Sequence, residues 1–208
     1  MSLMYIPSKM KIDHLSAAHD FIDEFSFGVM VSGSLTGTHL PFVLHRNEGD
    51  HGVLYSHCAK ANPHWKELDN QEVLIIFSGP HSYISPSWYA QAPAVPTWNY
   101  AAVHAYGVAS LLDDKQTLDA VDAVVSKYEP DLLVKKSIIT DEYKDKMLLG
   151  IVGIKVELSA VEGKLKLGQQ RKEEDQIGVY NALRQSNSPE DQALALYMKK
   201  INAGTGNR

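Results

Sequence analysis

The sequence predicts an α+β domain: a small antiparallel β-barrel with helices at its margins and at its C-terminal end. Three observations lead there. About six segments have strand length and strand composition, and Gly, Pro, Asn or Asp punctuates the gaps between them. Helical periodicity is confined to short runs between and after these segments. The chain has 208 residues, 44% of them apolar, which is enough for a real core.

In chain order, Met4-Tyr5-Ile6-Pro7 is an extended entry, and residues 12–24 place Leu15, Ala18, Phe21 and Ile22 on one helical face. Residues 25–34 and 38–45 read as two strands joined by a turn at Leu35-Thr36-Gly37, with Pro41 marking an edge or a bulge. Asn47-Glu48-Gly49-Asp50 is a turn before a third strand at 51–56. Asn62 is placed to cap a short helix over 62–69, with Pro63 at its first position, where a missing N–H costs nothing. Residues 72–78 form an apolar strand that Gly79-Pro80 turns back into 82–85 as a hairpin. A long strand covers 97–112, and Leu118, Val121, Val124 and Val125 stripe a helix from Lys115 to Tyr128. Residues 142–149 are helical, 150–158 form the last strand, and helices over 176–185 and 189–201 close the chain.

Composition excludes several classes. No window approaches the ~18 uninterrupted apolar residues of a membrane span. Met1-Ser2-Leu3 lacks the charged and apolar regions of a signal peptide and reads as a cloning remnant ahead of a start at Met4. A single cysteine, Cys58, leaves no internal disulfide and fits a reducing cytoplasm. Residues 1–114 carry five basic and eleven acidic side chains, and the remainder fifteen and fourteen. That is no basic face for a nucleic-acid backbone, so direct DNA binding is doubtful. All nine histidines lie at or before His104. His39, His57, His81 and His104 fall on or beside strands without HxH or HxxxH spacing, which favours histidines hydrogen-bonded near a core over a metal site.

Two stretches carry the functional signal. Residues 79–107 hold four of the nine prolines, two of the three tryptophans and four of the ten tyrosines, and no Asp, Glu, Lys or Arg. Such a connection is a wall for a flat ligand, a contact surface between subunits, or both. Residues 55–65 leave a strand and enter a helix. There, backbone N–H groups together with Ser56, Lys60, Asn62 and His64 can surround a phosphate; a capped helix with solvated polar residues is the commoner use of the same pattern. Nucleophile-elbow, P-loop and GxGxxG patterns do not occur.

Taken together, MYIPSKM at 4–10, THLPF at 38–42, HCAKANPHW at 57–65, GPHSYISPSWY at 79–89, VPTWNYAAVHAYG at 95–107 and KLKLGQQR at 164–171 closely resemble the PaiB family. Its members are described as FMN-binding negative transcriptional regulators and as protease-synthase and sporulation regulators. The resemblance runs from Met4 to about Leu196. It implies an FMN-binding split β-barrel like that of pyridoxamine-phosphate oxidase over 4–170 and a C-terminal helical extension over 171–208. It also implies a homodimer with FMN between subunits. By that resemblance Ser56, His57, Ala59, Lys60, Asn62 and His64 hold the flavin phosphate, and His39, Leu40 and Pro41 line the isoalloxazine. Trp88 and Trp98 wall the site from the same or the partner subunit, buried where residues 86–96 cross the seam. The oxidases carry basic residues on the second strand, whereas residues 40–44 here are apolar and Arg46 lies beyond them. The implied function is a cytoplasmic regulator acting indirectly; a flavin-dependent oxidoreductase, or a haem-binding or haem-degrading relative, is the alternative.

Overall fold

Alternation of buried and exposed positions makes the strands, and apolar stripes lay the helices against them. The computed structural model describes residues 3–135 and 138–206; Met1 and Ser2, read above as part of a cloning remnant, lie outside the described residues. Five α-helices and seven β-strands are formed among the described residues. In chain order they are α1 (Leu15–Glu24), β1 (Phe27–Ser32), β2 (Gly37–Pro41), β3 (Val43–His45), β4 (Val53–Ala59), β5 (Gln71–Ile84) and β6 (Thr97–Leu111). They continue with α2 (Asp114–Tyr128), α3 (Asp141–Leu148), β7 (Ile151–Lys166), α4 (Glu173–Gln185) and α5 (Pro189–Lys200). The sheet order is β2-β1-β5-β6-β7-β4-β3.

The two ends of that order are consecutive in the chain. The segment expected as one strand over 38–45 is two strands, separated only by Phe42. Pro41 has no N–H for a ladder, and the Phe42 N–H turns away to the Ser26 carbonyl at 2.8 Å. The Ser56 hydroxyl on β4 donates to the Pro41 carbonyl at 2.6 Å. One corner in the larger unit thus links the two end strands of the sheet order, as expected of a strongly curved, half-barrel sheet.

The chain divides into two compact units. The larger comprises residues 14–77 and 103–162. Within it β1 pairs with β2 from Phe27 opposite Pro41 to Val31 opposite Gly37, and β4 pairs antiparallel with β7 from Val53 opposite Glu157 to Ala59 opposite Ile151. Its fully buried large side chains include Phe42, Leu54, Ile75, Phe77 and Ile154, each contributing about 1.5–3 kcal/mol by leaving water. Asp113 and Gln116 form a reciprocal capping box that starts α2. A Cβ added at Gly153 on β7 would collide with Thr117, so glycine lets α2 approach the sheet closely.

The smaller unit comprises residues 1–13, 78–102 and 163–208. Its buried set includes Leu167, Val179, Leu183, Leu194 and Met198. Ser188 caps α5 by accepting from the Asp191 N–H, and the Ser82 hydroxyl donates to the Asp191 carboxylate.

Three more expectations change. The hairpin at Gly79-Pro80 does not form, and β5 runs straight through both residues. Strand β1 pairs with β5 only across Val73–Ile76, so Pro80 lies beyond that ladder and its missing N–H leaves no gap there. The last strand extends to Lys166 instead of ending near Leu158. The helix after Asn62 is a 3₁₀ helix of five residues, Pro63–Glu67.

Candidate functional site

Strand β4 and the turn after it build the site. Side chains alternate across a strand, so Ser56 and His57 point to opposite faces. Ser56 is fully buried with its hydroxyl committed to Pro41. His57 is half-buried and faces α2 and α3. The cluster expected around one phosphate is therefore divided, with Ser56 inside the barrel and His57 outside it. Cys58 is buried on the Ser56 side, and burial pushes its thiol up, away from nucleophile chemistry.

Beyond β4 the turn is held from both directions. The Lys60 N–H donates to the Gly150 carbonyl at 2.8 Å, and the Lys60 carbonyl accepts from Trp65 Nε1 at 3.0 Å. The Asn62 N–H closes onto the Ala59 carbonyl at 2.9 Å. Ala59 and Lys60 are exposed on this fixed backbone. The Asn62 side chain accepts from the His64 N–H at 3.1 Å, the cap expected from the sequence, and donates to the Thr38 hydroxyl at 3.1 Å.

Thr38 then lies 2.8 Å from His64 Nδ1. His64 is 2% exposed, and Nε2 has no hydrogen-bond partner although Glu67 Oε1 stands 3.7 Å away. Burial lowers the His64 pKa, opposed by the Glu67 charge. Glu67 is itself lowered by hydrogen bonds from Ser34, Thr36 and Ser32; the Ser34 and Ser32 hydroxyls donate to it at 2.8 and 3.0 Å. That carboxylate ties down the β1–β2 turn, where Leu35 holds a positive φ of 66° that costs a non-glycine residue about 1 kcal/mol.

On β2, His39 is exposed and Leu40 is buried. His39 stacks on Phe27 at 6.1 Å between ring centroids, and Phe27 is 62% exposed. Pro41 is the barrel corner. In the smaller unit, Trp98 is 48% exposed and lies 5.9 Å from the His81 ring and 6.3 Å from Tyr83. Trp88 is half-buried in a 3₁₀ turn, Pro86–Trp88. Its carbonyl leaves no room for a Cβ at Gly178 of α4.

The structure thus brings Lys60, Asn62 and His64 to one turn and adds Thr38 and Glu67, which sequence reasoning missed. The i,i+3 spacing of His64 and Glu67 was a usable signal; the Thr38 contact, formed across the barrel corner, had none. An exposed lysine on a backbone-fixed turn, two residues from an Asn62 amide that has a second N–H to give, suits an anion such as a phosphate group.

Residues 4–160 match the family model described as "Putative FMN-binding domain". The chain is 35% identical over 202 residues to the protease synthase and sporulation protein PAI 2 of Bacillus subtilis, covering 94% of this chain and 97% of that protein. An uncharacterised protein of Emericella nidulans is 29% identical over 186 residues, 70% of this chain and 73% of its own. Among solved structures, the flavocytochrome Anf3 of Azotobacter vinelandii superposes with a TM-score of 0.58 at 15% identity, over 81% of this chain and 75% of that one. The FAD and haem binding protein of Mycobacterium smegmatis gives 0.57 at 12%, over 76% and 74%. These structural likenesses speak for the fold alone, a split β-barrel of the flavoprotein type. With the family match over most of its length, the chain belongs to the PaiB family of FMN-binding-domain proteins.

Proposed function

We propose that this protein is a cytoplasmic, homodimeric FMN-binding regulator of the PaiB type that acts indirectly on transcription. The observation that carries the reading is the fixed turn after β4, which presents exposed Lys60 beside the Thr38–Asn62–His64 network. Lys60 and Asn62 would hold the flavin phosphate, with Ala59 and His64 shaping the turn. His39, Leu40 and Pro41 offer an edge of the barrel to the ring system, and the exposed aromatic group of His81, Tyr83 and Trp98 suits a subunit contact. Ser56 and His57 leave the phosphate set for the reasons above. FMN, when bound, supplies one- and two-electron redox chemistry.

The indirect mode rests on charge. The formal net charge is −5, where a direct DNA binder needs a basic face. A second reading, a flavin- or haem-dependent redox protein, is favoured by the names of the flavocytochrome and of the FAD and haem binding protein that share this fold.

Titration of the purified protein with FMN tests the reading. A flavin spectrum perturbed at one FMN per subunit is expected. Lys60→Ala should weaken binding about tenfold, the worth of one charge-assisted contact. No binding at micromolar flavin sinks it, and a Soret band on haem titration instead would favour the haem form of the second reading.

A further inference from the structure

The flavin reading leaves Thr38 without a role, and its contacts give it one. Thr38 sits on β2 opposite Met30 of β1, and Met30 is buried in the core, so the sheet fixes the backbone at this position. The side chain reaches from the strand to the turn after β4. Its hydroxyl accepts from the Asn62 amide at 3.1 Å and shares a hydrogen bond of 2.8 Å with His64 Nδ1. The Asn62 side chain in turn accepts from the His64 N–H at 3.1 Å, which closes a ring of contacts among the three residues. The backbone N–H groups of Lys60 and Asn62 run to Gly150 and Ala59, not to β2. The Thr38 hydroxyl is therefore what ties the side chains of this turn to β2.

A side-chain amide has two N–H bonds to give. With one given to Thr38 and its oxygen taken by the His64 N–H, Asn62 is held in one orientation and its second N–H keeps one direction. The residues that follow Thr38 on the same strand, His39, Leu40 and Pro41, are the edge offered to the flavin ring system. One residue thus connects both parts of the site, the ring edge through the chain and the phosphate donor through its hydroxyl. We propose that Thr38 is a positioning residue that sets the spacing between these two parts and so makes the site select a flavin bearing a phosphate over one without. The inference rests on the flavin-phosphate reading of the turn. A ligand held at both ends gains from its second contact only where the spacing suits it, and a donor fixed in advance loses less freedom on binding. Riboflavin has the ring and no phosphate, so it is indifferent to where Asn62 points. Lys60 supplies charge to the anion, whereas Thr38 acts only through Asn62.

The test measures the affinities of FMN and of riboflavin for the full-length protein by quenching of flavin fluorescence. The unmodified protein should prefer FMN. Thr38→Val keeps the outline of the side chain but removes the hydroxyl. It should cut that preference about tenfold, the worth of one hydrogen bond to a charged group, with riboflavin affinity unchanged. NMR without flavin should find the Asn62 side-chain amide signals displaced in the same variant. Thr38→Ser returns the hydroxyl and should restore both the preference and those signals. Thr38→Ala, which also lacks the hydroxyl, takes the place of Thr38→Val if that variant does not fold. A preference unchanged in Thr38→Val overturns the inference. So does an equal loss for both flavins, which would make Thr38 a general support of the fold, or a Thr38→Ser variant that restores nothing. The flavin-phosphate reading fails separately, and the inference with it, if the unmodified protein binds FMN no better than riboflavin.

Discussion

His57 and His64 stand at opposite ends of one short connection and share a chemical oddity. Each has a buried ring nitrogen without a partner, and each is held below the ordinary histidine pKa of 6.5 by burial. Their surroundings differ completely. His64 is enclosed by Thr38, the Asn62 cap and Glu67, so its ring is oriented by hydrogen bonds. His57 faces aliphatic side chains of α2 and α3. The difference teaches that residue type alone does not assign a role. His57 sits on the strand and His64 in the 3₁₀ turn after it, and the neighbours then decide between a positioned member of a polar network and a ring facing aliphatic side chains.

The largest effect should come from removing what the two regions share. Leu54 lies fully buried on β4. Leu54→Ala should cost about 2–5 kcal/mol in denaturant unfolding and perturb the ring signals of both histidines together. A cost below about 1 kcal/mol would show that β4 is not their common support.

A smaller change should split the pair. Asn62→Ala deletes the acceptor for the His64 N–H and the donor to Thr38. A lost cap costs about 1 kcal/mol. Calorimetric flavin affinity should fall while the His57 ring signals stay in place. Movement of both signals would mean that the two environments are coupled.

The finest distinction uses pH. With folded-state values below 6.5, both histidines take up protons more readily in the unfolded chain. Their stabilising effect is full above about pH 6.5 and is lost as pH falls toward the folded values. His57→Phe and His64→Gln should each flatten the fall of the melting temperature between neutral and mildly acidic buffer. Glu67 is lowered as well, by its hydroxyl partners. Its contribution is present above the unfolded carboxylate range and is lost only in stronger acid. Glu67→Gln should therefore remove a later step and leave the His57 part of the curve intact. A curve unchanged in all three variants would place the acid sensitivity elsewhere.

Much of the fold was legible because its signals are local. The helical stripe, of which Ala18, Phe21 and Ile22 are buried and Leu15 at the first turn is exposed, the Asn62-Pro63 start and the Ser188-Pro189 start all depend on neighbours a few residues away. The Gly79-Pro80 hairpin was misread for the complementary reason. A Gly-Pro pair is a common turn signal, but a proline beyond the neighbouring ladder can continue a strand, and where β1 stops pairing with β5 is not a local fact. The candidate site divides along the same line. Lys60, Asn62 and His64 share a turn written in consecutive residues, whereas Thr38 reaches His64 only because the barrel corner at Pro41 folds β2 against β4.

By itself, then, the sequence determined the strand-rich α+β class, the family and the capped turn after β4, because short-range periodicity, cap chemistry and an ordered set of segments survive without any long-range contact. The tertiary structure alone decided that Ser56 is sealed inside the barrel while His57 opens onto an aliphatic cavity, and that Glu67 and Thr38 flank His64. Those are choices of face and of distant partner, made when apolar area is buried across the whole sheet.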